Sequence, residues 1–142
     1  MNGETDLAKL LATLEPVRQP GEFVFCAVEN GLVPRHIKPL LLFEESEAVT
    51  LVVERELAAK TGLDGVFPCA WITLTVHSSL DAVGLLAAVS GRLAEHGIPC
   101  NVVSAFHHDH LFVPVDRADE TTRILSALSS LPAEAKSNRE VS

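Results

Sequence analysis

The segment from residue 71 to residue 97 constrains the fold most, because its apolar pattern changes from a two-residue repeat to a helical one. Over residues 71–76, Ile, Leu and Val alternate with Trp and Thr, which is typical of a strand with one apolar face. From Asp81 to His96, apolar and small residues recur on one helical stripe, with Ser79 placed as N-cap and Gly97 as C′ residue. The pattern predicts a strand whose apolar face meets a helix and whose other face is semi-polar.

A hairpin and a second helix follow this pair. Two β-type runs, Ile98 to Phe106 and His110 to Val115, flank the turn His107-His108-Asp109. A helical pattern runs from Ala118 to Leu131, and Pro114 is expected at a strand end because it cannot donate a ladder hydrogen bond. The second half is therefore predicted as β, α, β, β, α.

The first half has a less regular version of the same order. Its predicted elements are a helix at Asp6–Leu14, strands at Glu22–Val28, Pro39–Phe43 and Val49–Glu54, and a helix at Arg55–Thr61. On this assignment the first half lacks an opening strand and the second half lacks a closing one. We predict that one strand, Val66–Val76, closes the first half and opens the second.

The composition is that of a globular protein with an acidic surface. With 47% apolar and 21% charged residues, the 142-residue chain can bury a core without disulfides or metals. Its 19 acidic and 11 basic residues give a net charge of −8, which disfavours nucleic acid and anionic membranes as partners. The N-terminus lacks a signal-peptide pattern and no run is long enough to span a membrane, so we expect a cytoplasmic protein.

Cysteines and histidines give little support for metal or nucleophile chemistry. The chain has three cysteines, Cys26, Cys69 and Cys100. Their odd number and wide spacing fit neither a disulfide framework nor a zinc knuckle. The histidines lack the spacing of zinc ligands, although His107, His108 and His110 lie close together in sequence and His77 occurs elsewhere. No nucleophile elbow occurs either. We expect no metal, no cofactor and no catalytic residue.

Three short motifs within residues 71–115 carry a resemblance to a known family. They are the helix entry Val83-Gly84-Leu85-Leu86-Ala87, the helix exit Ala94-Glu95-His96-Gly97-Ile98, and the hairpin Ser104-Ala105-Phe106 with Asp109-His110 after two further residues. On these motifs the chain resembles ACT domains, small regulatory βαββαβ modules that bind amino acids. It resembles in particular tandem ACT proteins of bacteria and the ACT pair of the cytosolic arginine sensor. Many ACT domains have a proline just before the helix glycine, where this chain has Val83.

The resemblance implies an α+β fold of two ferredoxin-like, βαββαβ ACT-type units, with antiparallel sheets and helices on one face. Residues 1–66 would form a degenerate ACT-like unit, residues 67–132 a second ACT-like unit, and residues 133–142 a flexible tail. The implied function is that of a regulatory protein without catalytic activity that binds a small molecule, in the first place an amino acid. ACT relatives commonly assemble through sheets and helices, and one sheet face of the second unit lacks a helix layer, so we also expect a homodimer.

The loop and helix start at residues 78–85 are the predicted ligand site. A helix N-terminus presents unpaired N–H groups and the positive end of its dipole to a carboxylate, and Gly84 permits close approach to the backbone. Two simpler interpretations stay open, in which Ser79 is only a cap and Gly84 only relieves crowding between helix and sheet. The predicted ligand-binding residues are Ser78, Ser79, Asp81, Val83, Gly84, Leu85, Ile98, Asn101, Ser104 and Asp109.

Three polar residues after the helix complete this predicted site. Asn101 and Ser104 would offer an amide and a hydroxyl from the following strand, and Asp109 would pair with a ligand ammonium. Ordinary edge-strand polarity explains the first two residues as well, and turn chemistry alone explains an aspartate at this place. The rival function is a ligand-independent protein–protein interaction module that uses the acidic surface and the sheet face of Trp71.

Overall fold

The computed structural model describes residue 3 and residues 5–130 of the chain. The chain divides into two compact units. The terminal unit consists of the chain up to Gln19 together with the chain from Trp71 onward, and the central unit runs from Pro20 to Ala70. The predicted flexible tail, residues 133–142, lies outside the described residues.

Short helices and strands make up both units. In chain order they are α1 (Leu7–Thr13), β1 (Pro16–Arg18), β2 (Phe23–Val28), β3 (Leu41–Glu44), β4 (Val49–Glu54), α2 (Arg55–Thr61), β5 (Val66–Leu74), α3 (Leu85–Glu95), β6 (Asn101–Ser104), β7 (Asp109–Pro114) and α4 (Ala118–Ser126). The first part of β5 pairs with β2 and its last part pairs with β1. The predicted strand that serves both halves is therefore confirmed, although it ends at Leu74 and not at Val76.

The central unit is a four-stranded antiparallel sheet with one helix. Its strand order is β3-β4-β2-β5, and α2 packs on β2 and β4. The core of this unit lies between α2 and one face of β2 and β4. It contains Ala58 of α2 and the strand residues Val24, Cys26, Val49, Leu51 and Val53. The structure describes the whole connection between β2 and β3, and this connection contains no helix. Ile37, only 6% exposed, packs on the core from this loop instead.

The terminal unit is a four-stranded sheet with three helices. Its strand order is β1-β5-β7-β6, and the outer strands β1 and β6 run antiparallel to their neighbours. The helix α3 packs against both α1 and α4. The predicted apolar face is confirmed, because Ile72 and Leu74 are fully buried and Val76 is 6% exposed. The predicted α+β class with antiparallel sheets covered by helices is thus observed.

Both expectations about missing strands are wrong. The closing strand of the second half is β1, in which Val17 lies opposite Thr73 of β5. Pro16 and Pro20 obscure this strand in the sequence, although an edge strand accommodates proline. The opening strand of the first half is β2, and the element that this half lacks is its first helix. The structure groups α1 and β1 with the second half, whereas the sequence-based division keeps residues 1–66 together, and that domain boundary stays a prediction.

The helix after β5 begins later than predicted. It starts at Leu85 and not at Asp81, and Gly84, with a φ of +99°, is its N-cap residue. The assignment of Ser79 as N-cap is wrong, because its Oγ accepts a hydrogen bond from the Asp81 N–H at 3.1 Å and stabilises a turn in the preceding loop. At the other end, Gly97 follows the helix with a φ of +67°, as expected for the predicted C′ residue.

The last three elements follow the prediction with shorter limits. The strand β6 occupies only the middle of the predicted run 98–106, which contains Pro99 without an N–H to donate. Pro114 ends β7, as predicted. The predicted helix over 118–131 is α4 followed by a short 3-10 helix, Ala127–Ser130, and its last residue lies outside the described residues.

Candidate functional site

A recess of about 130 Å³ lies in the terminal unit where three segments meet. The segments are the loop after β5, the first turn of α3 and the turn between β6 and β7. The residues that line the recess are Ser78, Ser79, Leu80, Ala82, Gly84, Leu85, Leu86, Ala87, Ser104, Ala105 and Asp109. Hydroxyl, carboxylate and backbone N–H groups thus converge on a small volume.

The structure brings together only part of the predicted ligand-binding set. The recess is lined by Ser78, Ser79, Gly84, Leu85, Ser104 and Asp109. Four predicted residues lie outside this lining, namely Asp81, Val83, Ile98 and Asn101. Val83 is 82% exposed, whereas Ile98 is 4% exposed and belongs to the core. Asn101 is exposed at the start of β6, and Asp81 is exposed in the loop.

A buried polar pair forms the floor of the site. Ser78 and Asp109 are each 8% exposed, and the Ser78 hydroxyl donates a hydrogen bond to Oδ2 of Asp109 at 3.3 Å. Asp109 is the first residue of β7 and lies opposite Ser104 of β6. A buried carboxylate is costly without donors around it, so it attracts further N–H or ammonium groups.

The first turn of α3 forms the opposite wall. The Ala88 N–H donates to the carbonyl of Gly84 at 2.9 Å, which is the first bond of the helical ladder. The N–H groups of Leu85, Leu86 and Ala87 precede this bond and have no acceptor within the helix. Together with the helix dipole they make this wall electropositive. The recess therefore has one wall that suits a carboxylate and one carboxylate that suits an ammonium.

A network of rings that the sequence patterns did not predict adjoins the site. The centroids of neighbouring imidazoles are 5.9 Å apart for His77 and His107, 6.5 Å for His107 and His108, and 6.4 Å for His108 and His110. The indole N–H of Trp71 donates to Nδ1 of His110 at 2.9 Å. Because the indole can only donate, this ring nitrogen is an acceptor and the ring is neutral.

Two surroundings lower the pKa of His110 below its ordinary value. Burial of the ring contributes most, and the neighbouring His108 adds to it, whereas Asp109 acts in the opposite direction. The Thr73 hydroxyl also lies 3.1 Å from Nδ1 of His110, and it accepts a hydrogen bond from the Gln19 amide at 2.9 Å. The sequence signal for this network was the predicted strand, which places Trp71 and Thr73 on the same face.

Potential metal ligands and thiols also occur in the rest of the described chain. Within residues 3 and 5–130, no group of three or more His, Cys, Asp or Glu side chains is arranged to hold a metal ion. The cysteines are free, and burial raises the pKa of Cys69 and Cys100 to about 11, which keeps both thiols protonated. In the same part of the chain, no helix is both long and apolar enough to cross a membrane.

The central unit has a hairpin of the same form that lacks a carboxylate at the position of Asp109. In the terminal unit Ser104 pairs with Asp109 and closes the turn, and in the central unit Glu44 pairs with Val49. Both turns contain the equivalent backbone bond, Ala105 N–H to His108 carbonyl at 2.9 Å and Glu45 N–H to Ala48 carbonyl at 3.0 Å. The position of Asp109 is thus occupied by Val49, which is 5% exposed. An open groove of about 530 Å³ lies beside this hairpin.

Comparison with known proteins identifies relatives of both halves. One model of the ACT domain matches residues 2–70 and a second matches residues 66–127. A Vibrio cholerae structure, described as a protein of unknown function and possible transport protein, is 40% identical, with a TM-score of 0.80 over 88% of this chain and 97% of that chain. No curated protein sequence gives a match.

More distant structures share the fold alone. An Agrobacterium tumefaciens protein is 16% identical, with a TM-score of 0.70 over 82% of this chain and 89% of that chain. The regulatory subunit of aspartate kinase from Thermus thermophilus, in its ligand free form, is 11% identical, with a TM-score of 0.58 over 82% of this chain and 96% of that chain. Both structures therefore support the same arrangement of helices and strands.

Proposed function

Because this chain belongs to the ACT-domain family and carries two such domains in tandem, we propose that it is a regulatory protein that binds an amino acid and performs no catalysis. The observation that carries this proposal is the recess of the terminal unit. There the first turn of a helix and a buried carboxylate line the same small volume. An α-amino acid carries the two complementary charges on groups attached to the same carbon.

The chemistry of the recess suggests how the amino acid would lie. Its carboxylate would accept hydrogen bonds from the N–H groups at the start of α3, and its ammonium would donate to Asp109. The hydroxyl of Ser104, which also lines the recess, can add a hydrogen bond to either charged group. The Ser78 hydroxyl already donates to Asp109 and would hold that carboxylate in position.

The homodimer stays a proposal that rests on strand edges. The strands β3 and β6 lie at the ends of their sheets, and each exposes an apolar side chain, Phe43 at 63% and Val102 at 40%. Unpaired strand edges of this kind offer backbone groups to a second copy. Light scattering after gel filtration should then give twice the chain mass of 15.3 kDa.

We likewise propose a cytoplasmic location. Buried free thiols such as Cys26 and Cys69 fit a reducing compartment. The net charge of −8 continues to argue against nucleic acid or anionic membranes as partners.

A thermal-shift screen against the common amino acids tests the proposed function. At a hundred times its dissociation constant, a ligand stabilises the folded protein by about 2.7 kcal/mol, or roughly 5–10 °C for a chain of this size. One amino acid should produce this shift stereospecifically in the wild type. Asp109→Asn should weaken its binding by at least about tenfold, since it removes a charged acceptor. The exposed Asp116 provides the control, because Asp116→Asn should not alter the shift.

The alternative is a ligand-independent interaction module. The exposed apolar side chains of β3, Leu42 at 45% and Phe43 at 63%, favour it. If no amino acid raises the unfolding temperature of the wild type, the amino-acid proposal fails and this alternative takes its place.

A further inference from the structure

A second cleft of about 230 Å³ adjoins the recess. It is lined by Gly3, His77, Ser78, Ser79, Leu80, Asp81 and Phe106, so three residues, Ser78, Ser79 and Leu80, border both spaces. The recess alone is smaller than the roughly 300–1,000 Å³ of an ordinary ligand pocket. Recess and cleft together reach the lower end of that range. The two spaces therefore lie next to each other, so a ligand whose charged end occupies the recess has the cleft within reach of its side chain.

Two large apolar side chains border the outer cleft and remain open to solvent. Leu80 and Phe106 are each 66% exposed. The ring of Phe106 meets the edge of His107 with a centroid distance of 5.0 Å, which leaves most of its surface uncovered. A ligand side chain that covers both residues removes apolar surface from water and is stabilised for that reason.

We infer that the ligand is an amino acid with a large apolar side chain, whose charged end occupies the recess and whose side chain lies between Leu80 and Phe106. This inference rests on the proposed function and narrows its ligand. A charged side chain gains no comparable burial of apolar surface. The carboxylate of Asp81 borders the cleft but is exposed, so solvent screens its attraction for a basic side chain.

Calorimetric titrations with leucine, alanine and lysine test the inference on the full chain. Leucine should bind the wild type about tenfold more tightly than alanine, as expected for a few extra carbons in an apolar site. In Phe106→Ser the preference for leucine over alanine should fall at least threefold. Leu80→Ser, on the other wall of the cleft, should reduce the same ratio.

Matched substitutions separate this effect from a general loss of apolar surface. Phe43 is 63% exposed and Leu32 is 62% exposed, and neither residue borders the recess or the cleft. Phe43→Ser and Leu32→Ser should leave the leucine-to-alanine ratio at its wild-type value. A ratio that falls equally in the controls overturns the role of Leu80 and Phe106.

The outcomes distinguish the inference from the proposed function. If alanine binds as tightly as leucine, or if lysine binds more tightly, the assignment of an apolar side chain is wrong while amino-acid binding stands. If none of the common amino acids binds the folded wild type, both the inference and the proposed function fail. Unchanged unfolding midpoints of the variants establish that the ratios report on binding.

Discussion

The terminal and central units share a hairpin register but differ in what precedes it. In the terminal unit the opening strand leads into α3, and Asp109 closes the following hairpin. In the central unit a loop replaces that helix, and Val49 stands at the equivalent position. The sheet is thus common to both units, whereas a helix after the opening strand and a carboxylate at the position of Asp109 occur together only in the terminal unit. On the proposed function, ligand binding would therefore depend on the helix and the turn and not on the sheet.

The two units also complete their cores by different means. The terminal unit uses the N-terminal segment, in which Leu10 and Leu11 of α1 are 1% exposed and β1 forms an edge of the sheet. The central unit uses its own loop, from which Ile37 covers the position that a helix would occupy. The core of the terminal unit therefore depends on residues that are distant in sequence, whereas the core of the central unit depends on its own loop.

The largest expected effect tests whether α1 is part of the core of the terminal unit. Leu11→Ala should lower the free energy of unfolding by about 3 kcal/mol, because it leaves a cavity beneath the buried face of α1. The exposed Leu32 provides the control, and Leu32→Ala should change stability by less than about 0.5 kcal/mol. Denaturant titration measures both values. A loss at Leu11 no larger than the control would mean that α1 only rests on the surface.

A slightly smaller effect tests the loop that replaces the helix. Ile37→Ala should cost about 2 kcal/mol, since Ile37 is buried although it lies in a loop. The neighbouring Lys38 is exposed, and Lys38→Ala should be close to neutral. Equal stability of the two variants in denaturant titrations would show that this loop does not close the central core.

Two glycines of the α3 region should respond with opposite signs. Gly84 has a φ of +99°, so Gly84→Ala should destabilise by about 1 kcal/mol through backbone strain. Gly91 lies within α3, and a Cβ there would meet nothing within 4 Å, so Gly91→Ala should stabilise by roughly 0.5–1 kcal/mol. Thermal unfolding of the two variants measures the difference. A stabilised Gly84→Ala protein would contradict the left-handed helix entry.

The smallest expected effect concerns acidity and the ring network. Folding lowers the pKa of His110, so the unfolded chain binds the proton more tightly than the folded one. The contribution of His110 to the free energy of unfolding is therefore fully present above pH about 6.5. It is lost as the pH falls below that value, because the unfolded chain takes up the proton first. His110→Gln should therefore lose less stability between pH 7 and 5 than the wild type does. The exposed His36 provides the control, and His36→Gln should keep the pH dependence of stability of the wild type. If His110→Gln keeps that dependence as well, His110 does not contribute to it.

The parts of the site that follow local rules could be predicted from the sequence. The alternating strand, the helix stripe and the turn aspartate depend on residues close in the chain, and Gly84 and Asp109 were found in this way. Ser79 was misassigned because a local capping pattern does not show that the left-handed Gly84 delays the helix. The strand β1 and the bond from Trp71 to His110 join distant segments, which no local periodicity reports.

The most direct test of the account is to locate an added amino acid by amide NMR. Leucine titrated into the labelled full-length chain should shift the resonances of the helix entry and the adjoining hairpin first, namely Gly84, Leu85, Leu86, Ala87, Ser104 and Asp109. The loop and hairpin of the central unit, at Asn30, Gly31, Glu44 and Val49, should stay unchanged. Saturable shifts at the central hairpin, with none at the start of α3, would contradict the assignment of ligand binding to the terminal unit.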